Sequence, residues 1–480
     1  MSSINDAAAY QALIDNKFAP DLDAASAQQL AHLEKHPVAN ARDLRSLLWS
    51  SIDNASSKDL DQIEYAESLP DGGIALSIGI ADVDSLIRKD SPLDKHAMIN
   101  ATSVYTGSHV YPMLPPEIST GETSLNEGEE RDVIVIKLTI DKTGSVTTHE
   151  VFSAIASNHA KLAYETVGAW LEGRGAIPAK IQSTPDLESQ LWLQDRAASL
   201  LKQTRIVAGA LEFETVEATP VEKDGDITAL TAIKKNRARD LIEDFMIAAN
   251  VAIARFLAES NRSAIRRVVR EPKRWNRIVE IAATYNVTLP AVPDSKALSE
   301  FLAARRAADP MRFADLSLSI VKLLGPGEYV VDKPGPADDV GHFGLAAEDY
   351  LHATAPNRRY ADLVTQRLVK AVTAKAPEPY TDDELQTIAE HCTERENAAN
   401  KVERTTRKTA AAILLSHSIG QVFDAIVTGV KPEGTYVRLL SPPAEGRVME
   451  NEKGLDVGER IRVKLLRTNV AKGFVDFSAV

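Results

Sequence analysis

Ser51-Ile52-Asp53-Asn54-Ala55-Ser56-Ser57-Lys58-Asp59-Leu60-Asp61-Gln62-Ile63-Glu64 is the stretch on which the reading of this 480-residue chain turns. It places three aspartates within nine residues, directly after the apolar, strand-like run Leu47-Leu48-Trp49. Serine and asparagine beside aspartate favour turns, because their side chains bond back to the local backbone. Asp59 and Asp61 are two apart, so on an extended segment they point to the same face, and a turn ahead of them brings Asp53 to the same spot. Converging carboxylates repel one another unless cations sit between them, and all-oxygen ligands suit the hard cations Mg²⁺ or Mn²⁺. An acidic surface loop is the plainer alternative, and spacing alone leaves it open.

Outward from that stretch, the chain is long enough for more than one domain and a large buried core. Its apolar fraction of 44% and charged fraction of 26% are those of a soluble globular protein. No apolar run reaches the length of a transmembrane helix, and the N-terminus lacks the basic and apolar regions of a signal peptide. The single cysteine, Cys392, cannot form an internal disulfide, which fits a reducing, cytoplasmic setting. It falls in a helical stretch and reads as a half-buried helix residue, not a nucleophile. The net charge of −13 argues mildly against a nucleic-acid partner, but net charge does not describe the local field. Basic residues do cluster, at Arg266, Arg267, Arg270, Lys273, Arg274 and Arg277, at Arg358-Arg359, and from Lys401 to Lys408. Each cluster is equally readable as a solvated helix face. The histidines lack metal-ligand spacing, so no zinc site is expected, and the absence of a Walker-type loop argues against a nucleotide cofactor.

Periodicity divides the chain into three parts. Residues 1–45 read as short helices, Ala7–Asn16 and Ala25–Lys35, punctuated by Pro20 and Pro37. Residues 46–417 mix strands and helices. Strands are expected over Gly73–Val83, Val133–Ile140 and Ser145–Ile155, the last two joined by the turn Asp141-Lys-Thr-Gly144. Helices are expected over Asp186–Thr204, Ala238–Glu259 and Asp382–Leu415. Residues 418–480 switch to five short strands, Val422–Val430, Thr435–Leu440, Gly446–Glu450, Arg460–Arg467 and Phe474–Phe477, which suggests a small barrel. The fold class is α+β.

The carboxylate stretch resembles the signature of the RNB family, the ribonuclease II and ribonuclease R exonucleases. That signature begins Ile-Asp, runs through small residues and ends Lys/Glu-Asp-x-Asp-Asp. Asp53, Asp59 and Asp61 fall on its first three aspartates, and Gln62 stands where the fourth is usual. Further matches are Ala81-Asp82-Val83, Ser91-Pro-Leu-Asp-Lys, Thr102-Ser-Val-Tyr105, Pro112-Met-Leu-Pro115, Ser124-Leu-Asn126, Lys161-Leu-Ala-Tyr164, Leu241-Ile-Glu243 to Asn250, and Gly341-His342-Phe-Gly-Leu. Ala355-Pro-Asn-Arg358 stands where Ser-Pro-Ile-Arg is usual, and Arg270 where relatives have His. From Ser46 to the end, about nine-tenths of the chain, the likeness continues. Its last part resembles an S1-type OB fold, carried by Gly434-Thr-Tyr436-Val and Asp456-Val-Gly458-Glu.

This resemblance implies an RNB catalytic domain followed by an OB-fold RNA-binding domain. The two cold-shock domains usual ahead of it have no room in residues 1–45, where a helical or winged-helix-like piece is expected. The implied activity is processive, hydrolytic, metal-dependent 3′-to-5′ degradation of single-stranded RNA to 5′-mononucleotides, by a cytoplasmic monomer. By motif position Asp53, Asp59, Asp61 and Gln62 would hold Mg²⁺ or Mn²⁺, and Asp61 and Arg358 would be catalytic. Tyr105, Tyr164, Glu243 and Arg359 would contact RNA, with Asn250, His342 and His352 as weaker candidates. Phe423 and Tyr436 are the aromatics expected on the OB-fold surface, each equally readable as core. Duplexes are expected to be handled differently from the way ribonuclease II stalls before them. Gln62 brings an amide oxygen and no charge, so one metal would bind more weakly, with Glu64, Asp82 or Asp84 as compensating carboxylates. Two other readings stand beside the enzyme: an RNA-binding protein with weakened or lost catalysis, and a metal-dependent hydrolase of some other phosphodiester.

Overall fold

Ile74-Ala-Leu-Ser-Ile-Gly-Ile-Ala81 is buried at every position, which marks a strand covered on both faces. It is the third of the five strands that form the closed main sheet of this computed structural model, which describes residues 4–36, 38, 40–107, 109–214, 217–223, 226–233, 235–335 and 341–480. The five are β1 (Trp49–Asp53), β2 (Gln62–Ser68), β3 (Ile74–Ala81), β4 (Glu130–Ile140) and β5 (Val146–Ala163). Neighbours β1 to β4 pair antiparallel in chain order, and β4 and β5 form a long hairpin. Its turn is the expected one: Asp141 Oδ1 accepts from the Thr143 and Ser145 amides, and Gly144 adopts φ +88°, which an L side chain resists.

Strand β5 runs on to Ala163, past the expected end at Ile155, because its last residues pair parallel with β1. That pairing joins residues more than a hundred positions apart, for instance Asp53 with Ala163, and closes the sheet on itself. Its consequence for the site is direct. Asp53 ends β1 beside the point where β5 passes into helix at Tyr164.

Helices cover this closed sheet. Those of eight residues or more are α1 (Ile4–Asp15), α2 (Ala24–Ala31), α3 (Pro92–Asn100), α4 (Tyr164–Leu171), α5 (Leu187–Ala208), α6 (Arg237–Glu259), α7 (Trp275–Ala283), α8 (Ser295–Ala308), α9 (Pro310–Leu324), α10 (Tyr360–Thr373) and α11 (Asp382–Leu415). The amphipathic α6 sends Leu241, Phe245, Ala249 and Ile253 into the main core. The N-terminal helices pack on the catalytic region. Leu13 and Phe18 meet Ala399 and Val402 of α11, and Ser26 and Gln29 hydrogen-bond the start of α3. Helices α7, α8 and α9 form a separate small core around Trp275, Phe301 and Phe313 that sequence reading left unassigned.

Helix α11 is opened by a capping box between Thr381 and Glu384, which satisfies donors that a helix start otherwise leaves free. Its last turns, through Ala411, Ala412 and Leu415, enter the core of the C-terminal barrel. That barrel comprises β6 (Val422–Lys431), β7 (Gly434–Leu439), β8 (Glu445–Glu450), β9 (Arg460–Asn469) and β10 (Phe474–Ala479), closed in the order β6-β7-β8-β10-β9. Cys392 is buried within α11, and burial pushes its thiol well up, away from nucleophilic use. No helix among the described residues is long and apolar enough to cross a membrane.

Candidate active site

The loop from Asp53 to Asp61 is pinned from below by Ser124, part of the matched Ser-Leu-Asn run. Its hydroxyl accepts from the Leu60 amide (3.0 Å) and donates to the Lys58 carbonyl (2.7 Å). The Leu125 amide donates to the Leu60 carbonyl, and the Ala81 amide to the Asp61 carbonyl. Four backbone ties thus fix where Asp59 and Asp61 stand. Asp53 itself accepts from the Ser57 hydroxyl (2.9 Å) and the Asn54 amide, which folds the loop back upon it.

Asp61 lies 2% exposed at the centre. Its Oδ1 accepts from the Asn357 side-chain amide (3.0 Å) and the Asn357 backbone (3.3 Å), and its Oδ2 from Arg358 Nε (3.3 Å). Thr123 donates to the Asn357 side-chain oxygen at 2.6 Å, which orients the amide so that its NH₂ faces Asp61. Burial pushes the Asp61 carboxyl up to about 7, with Asp59 adding to the rise and Arg358 opposing it. Burial and Asp53 likewise raise Asp59. Sequence reading noted Asn357 only as a departure within Ala355-Pro-Asn-Arg358 and gave it no role; its contact with Asp61 is made by folding.

The Arg358 charge bears on the Tyr105 hydroxyl, and both keep an open side: the Arg358 side chain is 45% exposed and Tyr105 is 41% exposed. Arg359 turns the other way. Its guanidinium grips Asp362 through two bonds (2.8 and 2.7 Å), and Asp362 also accepts from the Ala355 amide, so Arg359 braces the loop that presents Arg358. Tyr164 opens α4, with Arg239 stacked over its ring at 4.3 Å, and the charges that bear on its hydroxyl include Asp53, Glu64 and Arg358. Arg239, which sequence reading did not single out, ties this tyrosine to the loop by donating to Asn54 (2.8 Å) and Glu165 (2.9 Å).

Other expected residues lie elsewhere. Glu243 is ion-paired with Lys235 (2.7 Å) at a cavity of about 390 Å³ whose lining includes none of the carboxylates above. Asn250, His342 and His352 hold the loop that precedes Arg358. Asn250 accepts from the Ala353 amide, His342 Nδ1 from the Leu345 amide, and His352 shares a 2.8 Å hydrogen bond with Tyr329. In the barrel, Phe423 packs against the interior, whereas Tyr436 alternates with buried Thr435 and Val437 and lies outward beneath Lys431. Four of the six basic residues at 266–277 are spent in ion pairs: Arg266 with Asp332 and Asp349, Arg267 with Glu396, Arg270 with Glu328 and Arg277 with Glu280.

Gln62 begins β2 and is buried, and Glu64 follows on the same face at 0% exposure. Neither Glu64 oxygen has a hydrogen-bond partner, and burial, with Asp53 nearby, raises its carboxyl well above the usual range. Asp82 and Asp84, the other compensating candidates, are committed to Lys370 and Arg367. Among the described residues, no three His, Cys, Asp or Glu side chains gather tightly enough to hold one ion between them. The carboxylates form a chain of neighbours, not a closed sphere.

Comparison with known proteins places this geometry. The RNB domain profile matches residues 41–375, and that of the RNase II-type exonuclease C-terminal S1 domain matches residues 421–480. Ribonuclease R of Vibrio parahaemolyticus is 29% identical over 91% of this chain and 56% of its own length. Ribonuclease R of Thermotoga maritima is 27% identical over 94% and 66%. The chain thus spans between one half and two thirds of these relatives. Among solved structures, Mycoplasma genitalium RNase R superposes with a TM-score of 0.88 at 22% identity, covering 99% of this chain and 78% of that one, both free and with ribose-methylated single-stranded RNA. Yeast Ssd1, a pseudonuclease, superposes at 0.73 with 19% identity, covering 92% and 55%. These structures share the fold. Since the RNB profile covers well over half of the sequence, this chain belongs to the RNB family.

Proposed function

We propose that the protein is a metal-dependent exoribonuclease that removes nucleotides processively from the 3′ end of single-stranded RNA and releases 5′-mononucleotides. The observation that carries this reading is the Asp61–Arg358 pair: a buried carboxylate against a half-open arginine, with Asp53 and Asp59 alongside and the Tyr105 hydroxyl within the arginine's field. The ribonuclease R relatives support the reaction class, and the M. genitalium enzyme with ribose-methylated single-stranded RNA supports the substrate class.

Hydrolysing a phosphodiester requires an activated water, neutralised phosphate charge and a stabilised leaving oxygen; bound divalent metal supplies all three. The residues that would hold it are Asp53, Asp59, Asp61 and the Gln62 amide. Their donors are hard oxygens, which fits Mg²⁺ or Mn²⁺. Mg²⁺ is commonly held by one or two carboxylates with water and substrate phosphate, so a row of carboxylates without a closed protein sphere suits an ion completed by RNA. Arg358 donates to the phosphate as charge accumulates there. Asn357 holds Asp61 in register meanwhile. The exposed Tyr105 offers a surface on which a base stacks, and Tyr436 a further one on the barrel, while Tyr164, half-buried with Arg239 over its ring, lines the site beside the carboxylates.

A second reading, an RNA binder with weakened catalysis, is favoured by Gln62, which carries no charge, and by the likeness to a pseudonuclease. One experiment decides between them. The full chain is incubated with 5′-labelled single-stranded RNA and Mg²⁺ or Mn²⁺, beside Asp61→Asn and Gln62→Asp. Shortening to very short labelled ends, abolished in Asp61→Asn, supports the exonuclease. Binding without degradation in either metal supports the binder, and cleavage regained in Gln62→Asp would name the missing ligand.

A further inference from the structure

Three unpartnered polar side chains lie on adjoining elements beside the carboxylate loop: Ser50 on β1, Glu64 on β2 and Gln194 on α5. Glu64 buries both oxygens without a hydrogen bond, and Ser50 Oγ and Gln194 Oε1 are also buried without one. All three residues are 0% exposed. Ser50 and Glu64 are directly paired across β1 and β2, so their side chains share one face of the sheet. Gln194, on α5, donates its amide to the Glu64 backbone carbonyl at 3.4 Å, so the side chain whose oxygen is unpartnered is anchored at the same residue. Other buried acids with an unpartnered oxygen differ. Asp94 is ion-paired with Arg367 (2.8 Å) and Asp244 with Arg205, whereas Glu64 has no such cation among the described residues.

Leaving several polar oxygens dry and unpaired is costly, and such groups in folded proteins are normally satisfied by partner, water or ion. A carboxylate, a hydroxyl and an amide oxygen, with Asp53 as the further carboxylate whose charge bears on Glu64, offer a hard-oxygen donor set with no nitrogen or sulfur in it. We infer that Glu64, Ser50 and Gln194 bind a divalent cation beside Asp53, so that Glu64 restores to the site the negative charge that Gln62 lacks. With Asp53, the set contains two carboxylates and two neutral oxygens. This inference deepens the metal-dependent reading and rests on it.

The test is Mn²⁺ binding to the metal-free full chain, followed by the paramagnetic signal of free Mn²⁺, together with thermal melting with and without Mn²⁺. Expected are a Kd at least about tenfold weaker in Glu64→Gln, a smaller loss in Ser50→Ala, and retention of this site in Asp61→Asn, which lies outside the set. Glu64→Gln should also lose the Mn²⁺-induced rise in melting temperature while melting no lower than wild type without metal. Wild-type Mn²⁺ affinity in Glu64→Gln overturns the inference. So does a variant that melts lower without metal but keeps the full Mn²⁺ shift, since that marks a purely structural role. If Asp61→Asn alone loses Mn²⁺, the inference falls while the metal-dependent reading survives; if wild type binds no Mn²⁺, both fall.

Discussion

Two acidic groups stand back to back at one edge of the closed sheet, and they differ in how their charge is met. Asp82 and Asp84 follow the last residue of β3, and Asp61 precedes the first residue of β2, with the Ala81 amide bonded to the Asp61 carbonyl between them. Lys370 reaches Asp82 (2.9 Å) and Asp84 (2.9 Å), and Arg367, one turn earlier on α10, reaches Asp84 (2.9 Å). Although burial would raise Asp84, these two cations hold it below its ordinary value. Asp61 meets only neutral Asn357 and the half-open Arg358, and burial wins. Burial raises Asp82 as it raises Asp61, so the two groups differ not in depth but in their partners: Asp82 and Asp84 are ion-paired with α10, whereas Asp61 faces a half-open arginine that can turn to a ligand.

The largest expected effect tests the matched group. Arg367→Leu strips Asp84 and Asp94 of a partner, together with the Tyr380 hydroxyl and the Ile87 carbonyl. Breaking a buried pair from one side costs about 3–5 kcal/mol, to be read from denaturant unfolding, and added metal should not recover it. Arg358→Ala is the counterpart. Its half-exposed pair should cost at most about 1 kcal/mol of stability, yet cleavage should fall about 10²–10³-fold, as when a donor to developing charge is removed. If both variants lose comparable stability, the distinction between the two groups is wrong.

The spacing of Asp53, Asp59 and Asp61 was legible because it is local, as were the bounds of α11, which follow from Thr381, Glu384 and an unbroken helical period. The barrel strands were legible for the same reason, with turn residues between short alternating runs. What depends on partners distant in sequence was not. The parallel pairing of Asp53 with Ala163 lengthens β5 beyond its local signal. The arginine cluster at 266–277 looked like a basic surface because its acids, Asp332, Asp349 and Glu396, lie 60 or more residues away in the chain and are brought in only by folding. Glu64 was one of three equal candidates until Lys370 and Arg367 were seen to occupy the other two.

His342 sharpens the contrast from the basic side. It is half-buried against Tyr350, and both the loss of solvent and the nearby Arg267 push its pKa from 6.5 down to about 4. Below pH 6.5 the unfolded chain takes up a proton that the folded one refuses until about pH 4. The unfolded state therefore binds more protons in that window, and stability falls as pH falls through it. Relative to His342→Gln, which cannot titrate, wild type should lose about 2–3 kcal/mol between pH 7 and pH 4 in unfolding measurements made across that range. A constant difference would mean that an acidic partner meets the imidazolium after all.

The smallest effect lies in the barrel, where two aromatics repeat the contrast between a group the fold satisfies and one it leaves open. Phe423 packs inward and Tyr436 lies outward beneath Lys431, 5.7 Å from its ammonium. Tyr436→Ala should weaken single-stranded RNA binding by about 1 kcal/mol without moving the melting temperature, the size of one lost base stack. Phe423→Ala should do the reverse, because a packed ring contributes to the core of β6 and β9 and not to a ligand. If Phe423→Ala weakens RNA binding more than Tyr436→Ala at equal barrel stability, then the interior-facing ring is the one that meets bases, and exposure in the free protein is a poor guide to which aromatic RNA selects.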